Sequence, residues 1–228
     1  MARDFPGTNS NYLRIVNPVS AIDYAGSTLT VHCWVRPDTT TPATLVAKEP
    51  GTATTRGWQL GKHGTNISFF TFNSGGGVDA VAEVAYTTLG TGAWKAVAGR
   101  KNGTGAGAVA LWIAGASVAT TSASQANLND TSADFTIGTR GVNDEPFNGQ
   151  IQDVAVWSAS LSDSELVALS KGVSPQMIRR ASLIAHYPMW GDSSGTELDL
   201  SGNGQNVSEV GTVGVGSSNA PVGPLVVM

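Results

Sequence analysis

Three residue patterns in this chain have the types that catalysis uses, and each fails on spacing or context. Glu197-Leu198-Asp199 places two carboxylates two residues apart, the spacing that sets both on one face of a strand. Retaining glycosidases need such a pair with the carboxyls about 5–5.5 Å apart. Here Ser201 and Gly202 follow, the acid/base partner is missing, and the segment reads as an Asx turn. Gly191-Asp192-Ser193-Ser194-Gly195 fits the spacing of a nucleophile elbow. That motif needs a strand before the serine and a helix after it, whereas Pro188 precedes it and no helix-forming run follows. The three histidines, His32, His63 and His186, fall on separate strand-like runs without metal-binding spacing, so no zinc site is expected. Gly103, Gly105 and Gly107 alternate but open no helix, so they are not a dinucleotide fingerprint.

The elements around these residues are short β-prone runs punctuated by Gly, Asn, Asp and Ser. Thr28 to Val35 is the clearest: Leu29, Val31, Cys33 and Val35 point one way, and Thr30, His32 and Trp34 the other. Further runs are Tyr12 to Val16, Thr44 to Ala47, Trp58 to Lys62, Ile67 to Phe72, Val78 to Tyr86, Trp94 to Arg100, Val109 to Ile113, Phe135 to Gly138, Gln150 to Trp157 and Ser182 to Met189, with Leu225 to Val227 at the end. Asn102-Gly103, Ser74 to Gly77 and Ala114-Gly115 supply turns. One helix is expected over 162–171. Ser162 and Glu165 form its capping box, Leu161 and Leu166 its staple, and Gly172 its stop. Pro175 begins a second short helical turn. The pattern predicts an all-β, antiparallel two-sheet sandwich with one short helix. It reads as one domain over 1–228, residues 173–228 being a C-terminal extension that completes the sandwich.

The 228 residues carry 13 basic and 17 acidic side chains, a net charge of −4. That opposes sequence-independent nucleic-acid binding, which needs a basic surface. Cys33 is the only cysteine, so no intrachain disulfide forms, and its apolar run marks it as a buried thiol. The first residues lack the apolar core of a signal peptide, and no 18-residue apolar window is present, so neither secretion nor membrane insertion is expected.

Several of these runs, in this order, resemble the laminin G-like (concanavalin A-like) jelly rolls. Leu29 to Pro37, Gly92 to Ala98, Ala110 to Gly115, Phe135 to Gly138, and Phe147 to Trp157 followed by Leu161 to Glu165 each match a strand of that family. The segment from Gly172 to Met189 resembles an extension of bacterial and bacteriophage members. Gln152 and Ala114 stand where the family commonly has aspartate, which weakens any acidic role at those two positions. The resemblance implies a jelly-roll fold and raises calcium, which needs hard oxygen ligands. Asp144, in Asn143-Asp144-Glu145, and Asp199 with Asn203 are the candidate ligands. It also raises sugar binding, for which Trp58 and Trp190 are the expected exposed rings. Trp34, Trp94, Trp112 and Trp157 hold core positions.

The expected function is non-enzymatic. The first reading is a bacteriophage virion surface component, capsid-decorating or tail-associated. It would be made in a host cytoplasm, carried outside by lysis, and assembled with itself and other virion proteins. The alternative is a glycan-binding adhesion module, calcium-assisted or not. A glycoside hydrolase comes third, because its carboxylate motif is incomplete.

Overall fold

Alternation of apolar and polar side chains becomes antiparallel pairing throughout. The computed structural model describes residues 1–16, 22, 26–49, 56–73, 77–121, 127–128, 133–141, 144–190 and 195–222. Sixteen strands lie among them: β1 (Arg3–Pro6), β2 (Tyr12–Ile15), β3 (Thr28–Pro37), β4 (Val46–Lys48), β5 (Trp58–His63), β6 (Asn66–Phe72), β7 (Val78–Ala85) and β8 (Lys95–Asn102). Then follow β9 (Val109–Ile113), β10 (Ala116–Thr120), β11 (Phe135–Ile137), β12 (Asn148–Trp157), β13 (Leu183–Tyr187), β14 (Thr196–Glu197), β15 (Val207–Val210) and β16 (Gly214–Val215). The expected run 225–227, the turn residues 74–76, Asn143 and the serine motif at 191–194 lie outside the described residues.

Two sheets form. The first runs β10-β9-β8-β3-β12-β1-β16, with β13 also on β12; the second runs β14-β15-β2-β11-β4-β5-β6-β7. The chain is therefore an antiparallel β-sandwich of jelly-roll type. Between the sheets, Leu29, Val31, Cys33 and Val35 of β3 meet Trp58 and Leu60 of β5 and Ile67 and Phe69 of β6 in one apolar cluster. Gly99 of β8 is a glycine for a steric reason: a Cβ there would sit 2.2 Å from the Phe69 ring. Burial pushes the Cys33 thiol above its ordinary range, in keeping with an inert core residue.

The other face of the first sheet is covered as well. Helix α1 (Asp163–Ser170) begins at the capping box: Ser162 N–H donates to Glu165 Oε2 at 2.6 Å, and Glu165 N–H donates to Ser162 Oγ at 3.4 Å. Leu161, Leu166, Leu169, Ile178 and Leu183 pack there on Ala98, Ala155, Trp112 and Trp157. Trp157 is fully buried and donates through Nε1 to the Ile178 carbonyl at 2.8 Å. No helix among the described residues is long and apolar enough to cross a membrane.

β12 carries an irregularity with a chemical consequence. β1 pairs with its first half and β13 with its second, and the register on β3 shifts between Gln152 and Ala155. Asp153 sits at the shift with φ +54°, a left-handed conformation that aspartate tolerates better than most residues. Its Oδ1 lies 2.7 Å from His186 Nε2, and its carbonyl accepts from His32 Nδ1 at 3.3 Å. Both histidines are buried strand residues with a hydrogen-bond partner and do not face solvent.

Burial pulls the His32 imidazole down to about 4, against an ordinary 6.5, with the Asp153 carboxylate opposing the shift. Between those two values the unfolded chain holds a proton that the folded ring does not. Stability is therefore intact above pH 6.5 and falls as the pH drops from 6.5 towards 4. The shift corresponds to a loss of about 3 kcal/mol over that window. Urea midpoints of wild type and His32→Gln across pH 4–7 check this. The variant should show the shallower acid slope, and parallel slopes would exclude His32 as the source.

Candidate functional site

A groove runs from one rim of the sandwich onto the outer face of the second sheet. Its position follows from strand parity. Trp58 and Leu60 point into the core, so Gln59 and His63 point out; Ile67 and Phe69 point in, so Phe70 and Phe72 point out. The segment 43–45 crosses the outer face of β5 at Gly61, where a Cβ would stand 2.6 Å from the Thr44 Cα. No other residue type fits beneath that crossing without displacing it.

The loop from β11 to β12 forms the opposite wall. Arg140 and Asp144 close it by a backbone bridge: Arg140 N–H donates to the Asp144 carbonyl at 3.1 Å. Their side chains form a two-point ion pair, one contact of which is Arg140 Nε to Asp144 Oδ1 at 2.7 Å. The hydrogen bond to Asp144 raises the Arg140 pKa despite partial burial. Glu145 follows with φ +57°, a conformation that costs a non-glycine residue about 1–3 kcal/mol and gathers at binding sites. The loop is fixed to the neighbouring segment where Thr44 N–H donates to the Glu145 carbonyl at 2.9 Å.

Glu145 is the centre of the arrangement. Its Oε2 accepts from Thr44 Oγ1 at 2.8 Å and from Gln59 Nε2 at 3.1 Å. Its Oε1 lies 3.7 Å from Lys62 Nζ and 3.8 Å from Arg140 Nη1. Towards the sheet, Arg56 Nε lies 2.8 Å from Glu49 Oε1, and Arg140 Nε 3.6 Å from Glu49 Oε2. The floor is aromatic: the Phe70 and Phe72 rings meet edge to face, 5.2 Å apart. The Arg56 guanidinium covers Phe72 at 5.0 Å and the His63 imidazole covers Phe70 at 5.3 Å. His63 Nδ1 is 2.7 Å from Glu83 Oε2. The groove consists of two depressions, about 380 Å³ at the rim and about 180 Å³ on the sheet face, and Lys62 and Glu145 line both.

The residues singled out in the sequence are dispersed. Trp58 is 2% exposed and packs edge to face on Phe135 at 6.1 Å; the expectation of an exposed ring is corrected, because the parity of β5 turns it inward. Trp190 is 50% exposed, and its carbonyl accepts from the Met1 amino group at 2.9 Å. β1 lies between Met1 and the rim residue Gly7, and Trp190 lines neither depression of the groove. Asp144 is in the groove wall, with both oxygens directed at Arg140. Asp199 holds a different loop: it accepts from His186 N–H (2.9 Å), Ser201 N–H (2.9 Å), Ser201 Oγ (2.8 Å) and Gln205 N–H (3.0 Å). Asn203 turns its amide nitrogen to the Leu183 and Ile184 carbonyls at 3.2 and 3.1 Å. These oxygens are engaged by donors, and among the described residues no three His, Cys, Asp or Glu side chains are placed to hold a metal ion. Of the residues that line the groove, sequence reasoning had singled out only His63, as an unclustered histidine, and Glu145, within Asn143-Asp144-Glu145. Asn143-Asp144-Glu145 drew notice as cation ligands, whereas Arg140, four residues before Asp144, is the signal that its partner is a guanidinium.

The sequence model of the concanavalin A-like lectin/glucanases superfamily matches residues 7–167. The chain belongs to that superfamily. The laminin G-like resemblance of the strand motifs is therefore correct, and the matched span includes both walls of the groove. No curated protein matches this superfamily member. Among solved structures, a protein from Bacteroides ovatus described as a candidate carbohydrate-binding protein is similar at 18% identity and a TM-score of 0.61. The match covers 97% of this chain and 61% of that one, so this chain spans less than two thirds of that protein. Domain 4 of an extracellular arabinanase from Geobacillus stearothermophilus, solved with arabinotriose, is similar at 19% identity and a TM-score of 0.46, covering 64% of this chain and 68% of that one. The receptor-binding domain of botulinum neurotoxin type G is similar at 14% identity and a TM-score of 0.49, covering 64% and 38%. At these identities the likeness concerns the fold.

Proposed function

We propose that this chain is a non-enzymatic carbohydrate-binding module and that its glycan lies in the groove centred on Glu145. The observation that carries this reading is the groove's composition: planar hydrogen-bonding groups (Arg56, Gln59, His63, Arg140) arrayed over an aromatic floor. Sugar hydroxyls pair with such forks, and sugar ring faces lie on flat, partly apolar surfaces. The groups are held in place by one another, so little side-chain entropy remains to be lost on binding. Hydrolysis is disfavoured by the same contacts. A glycosidase acid must present an O–H to the leaving oxygen, whereas both Glu145 oxygens face donors or cations.

A second reading, a component of a virion surface, rests on the segment 172–189. It resembles an extension of bacteriophage members and in the fold packs on and joins the first sheet, leaving the groove on the second sheet clear of it. The two readings are compatible, because display in many copies raises the avidity of a weak lectin. The proposed domain organisation, one unit over 1–228 completed by 173–228, accords with β13 to β16 joining both sheets.

Glycan-array binding followed by calorimetry on the full chain tests the first reading. Gln59→Ala and Arg56→Ala should each weaken glycan binding at least about tenfold, a loss of 1.4 kcal/mol, at temperatures where both variants remain folded. Trp190→Ala should bind as wild type does. Groove variants that bind normally, or a chain that binds no glycan, would overturn the proposal. Mass in solution and co-assembly with purified capsids or tails test the second reading.

A further inference from the structure

The two depressions differ in chemistry, and the ion pair between them decides what length and charge of ligand fits. The rim depression is lined by short uncharged side chains, among them Asn9, Thr39, Thr41 and Asn148, with Lys62 and Glu145 its charged members. These offer hydroxyls and amides to the edge of a sugar. The face depression has the planar groups: the His63 ring backed by Phe70, the Arg56 guanidinium backed by Phe72, and Gln59. These suit the flat side of a ring. The Lys62–Glu145 pair stands at the junction and borders both.

The charges in the groove cancel locally. The cations Arg56, Lys62 and Arg140 are matched by the carboxylates Glu49, Asp144 and Glu145, each within 4 Å of a partner. Glu83 Oε2 is hydrogen-bonded to His63 Nδ1 at 2.7 Å. An anionic ligand would either displace one of these carboxylates from its cation or add a like charge beside it, and both are unfavourable. A neutral polyol can add hydrogen bonds to groups already paired, because guanidinium and carboxylate have more donor and acceptor positions than one partner uses.

We infer that the ligand is an uncharged oligosaccharide of at least two rings, one on the His63–Arg56 face, one at the rim, crossing the Lys62–Glu145 pair. This rests on the carbohydrate-binding reading and adds the charge and minimum length of the ligand. A single ring occupies one depression and forgoes the contacts of the other.

Calorimetry on the full chain with glucose, galactose and N-acetylglucosamine, and with neutral di-, tri- and tetrasaccharides of each, tests the inference against sialyllactose and a heparin disaccharide. The expected result is at least an about tenfold gain from monosaccharide to disaccharide in one neutral series. Affinity should hold within about twofold between low and high salt, since no net ion pairing is involved. Lys62→Met should abolish the gain from the second ring. Tighter binding of the acidic ligands, steep loss with salt, or equal affinity for one ring and two would overturn the inference while leaving the glycan reading intact. Absence of binding to every sugar would remove both. If Lys62→Met lowers the thermal midpoint, Thr41→Val provides the same rim test without altering the ion pair.

Discussion

Replacing Trp58 with alanine should cost about 3–5 kcal/mol of folding stability, as expected when a buried indole leaves a cavity. That is a large share of the 5–15 kcal/mol that holds a typical domain. The ring stands in the main cluster between the sheets, against Phe135, with 2% of its surface exposed. Urea unfolding should show a lower midpoint with an unchanged slope, since the extent of surface exposed on unfolding is the same. Trp58→Phe should recover about half the loss. The neighbouring residue is the control: Gln59→Ala removes an outward amide and should lower stability by about 1 kcal/mol while weakening glycan binding. A Trp58→Ala protein that unfolds within 1 kcal/mol of wild type yet binds no glycan would reverse the assignment of Trp58 to the core.

Arg3 is the second residue whose loss should be severe. It is 1% exposed, its Nε lies 3.4 Å from Glu197 Oε1, and it pairs with Glu209. The contacts join β1 of one sheet to β14 and β15 of the other. Glu209 is held in turn, accepting the Val213 N–H at 2.6 Å. Arg3→Ala leaves two carboxylates in a buried site without their cation, so the loss should be about 3–5 kcal/mol. The cost belongs to the abandoned charges more than to the bond itself. Combining Arg3→Met with Glu197→Leu and Glu209→Gln should therefore restore most of the stability. Denaturation of the single and triple variants decides it: a triple variant no more stable than Arg3→Ala would show that the charges were not the source of the loss.

The strands legible in the sequence were those whose alternation is strong. Thr28 to Val35, Ile67 to Phe72 and Gln150 to Trp157 announce their own periodicity and the structure extends each by one to two residues. β1 was not legible. Arg3-Asp4-Phe5-Pro6 has two charges and a proline around one apolar residue, and it is a strand because β12 and β16 pair with it on either side. β10, β14, β15 and β16 are short and lie among small or polar residues, so their pairing comes from neighbours already in place. The capping box of α1 was legible because both partners lie within four residues.

Trp58 marks the boundary between the two kinds of information. Period two establishes that Trp58 and Gln59 face opposite ways, but a strand by itself does not state which way is inside; only the opposing sheet does. The groove has the same origin. Thr44, Gln59 and Glu145 are separated by 15 and 86 residues along the chain, yet meet within 3.1 Å. The identity of the strongly alternating strands, the helix cap and superfamily membership were legible in local sequence motifs, and the sequence alone determined them. The inward turn of Trp58 and the groove centred on Glu145 arise where distant segments meet. Only the register of β4, β5 and β12 and the crossing over Gly61 decide that proximity, because side-chain forces act over a few ångströms and not along the chain.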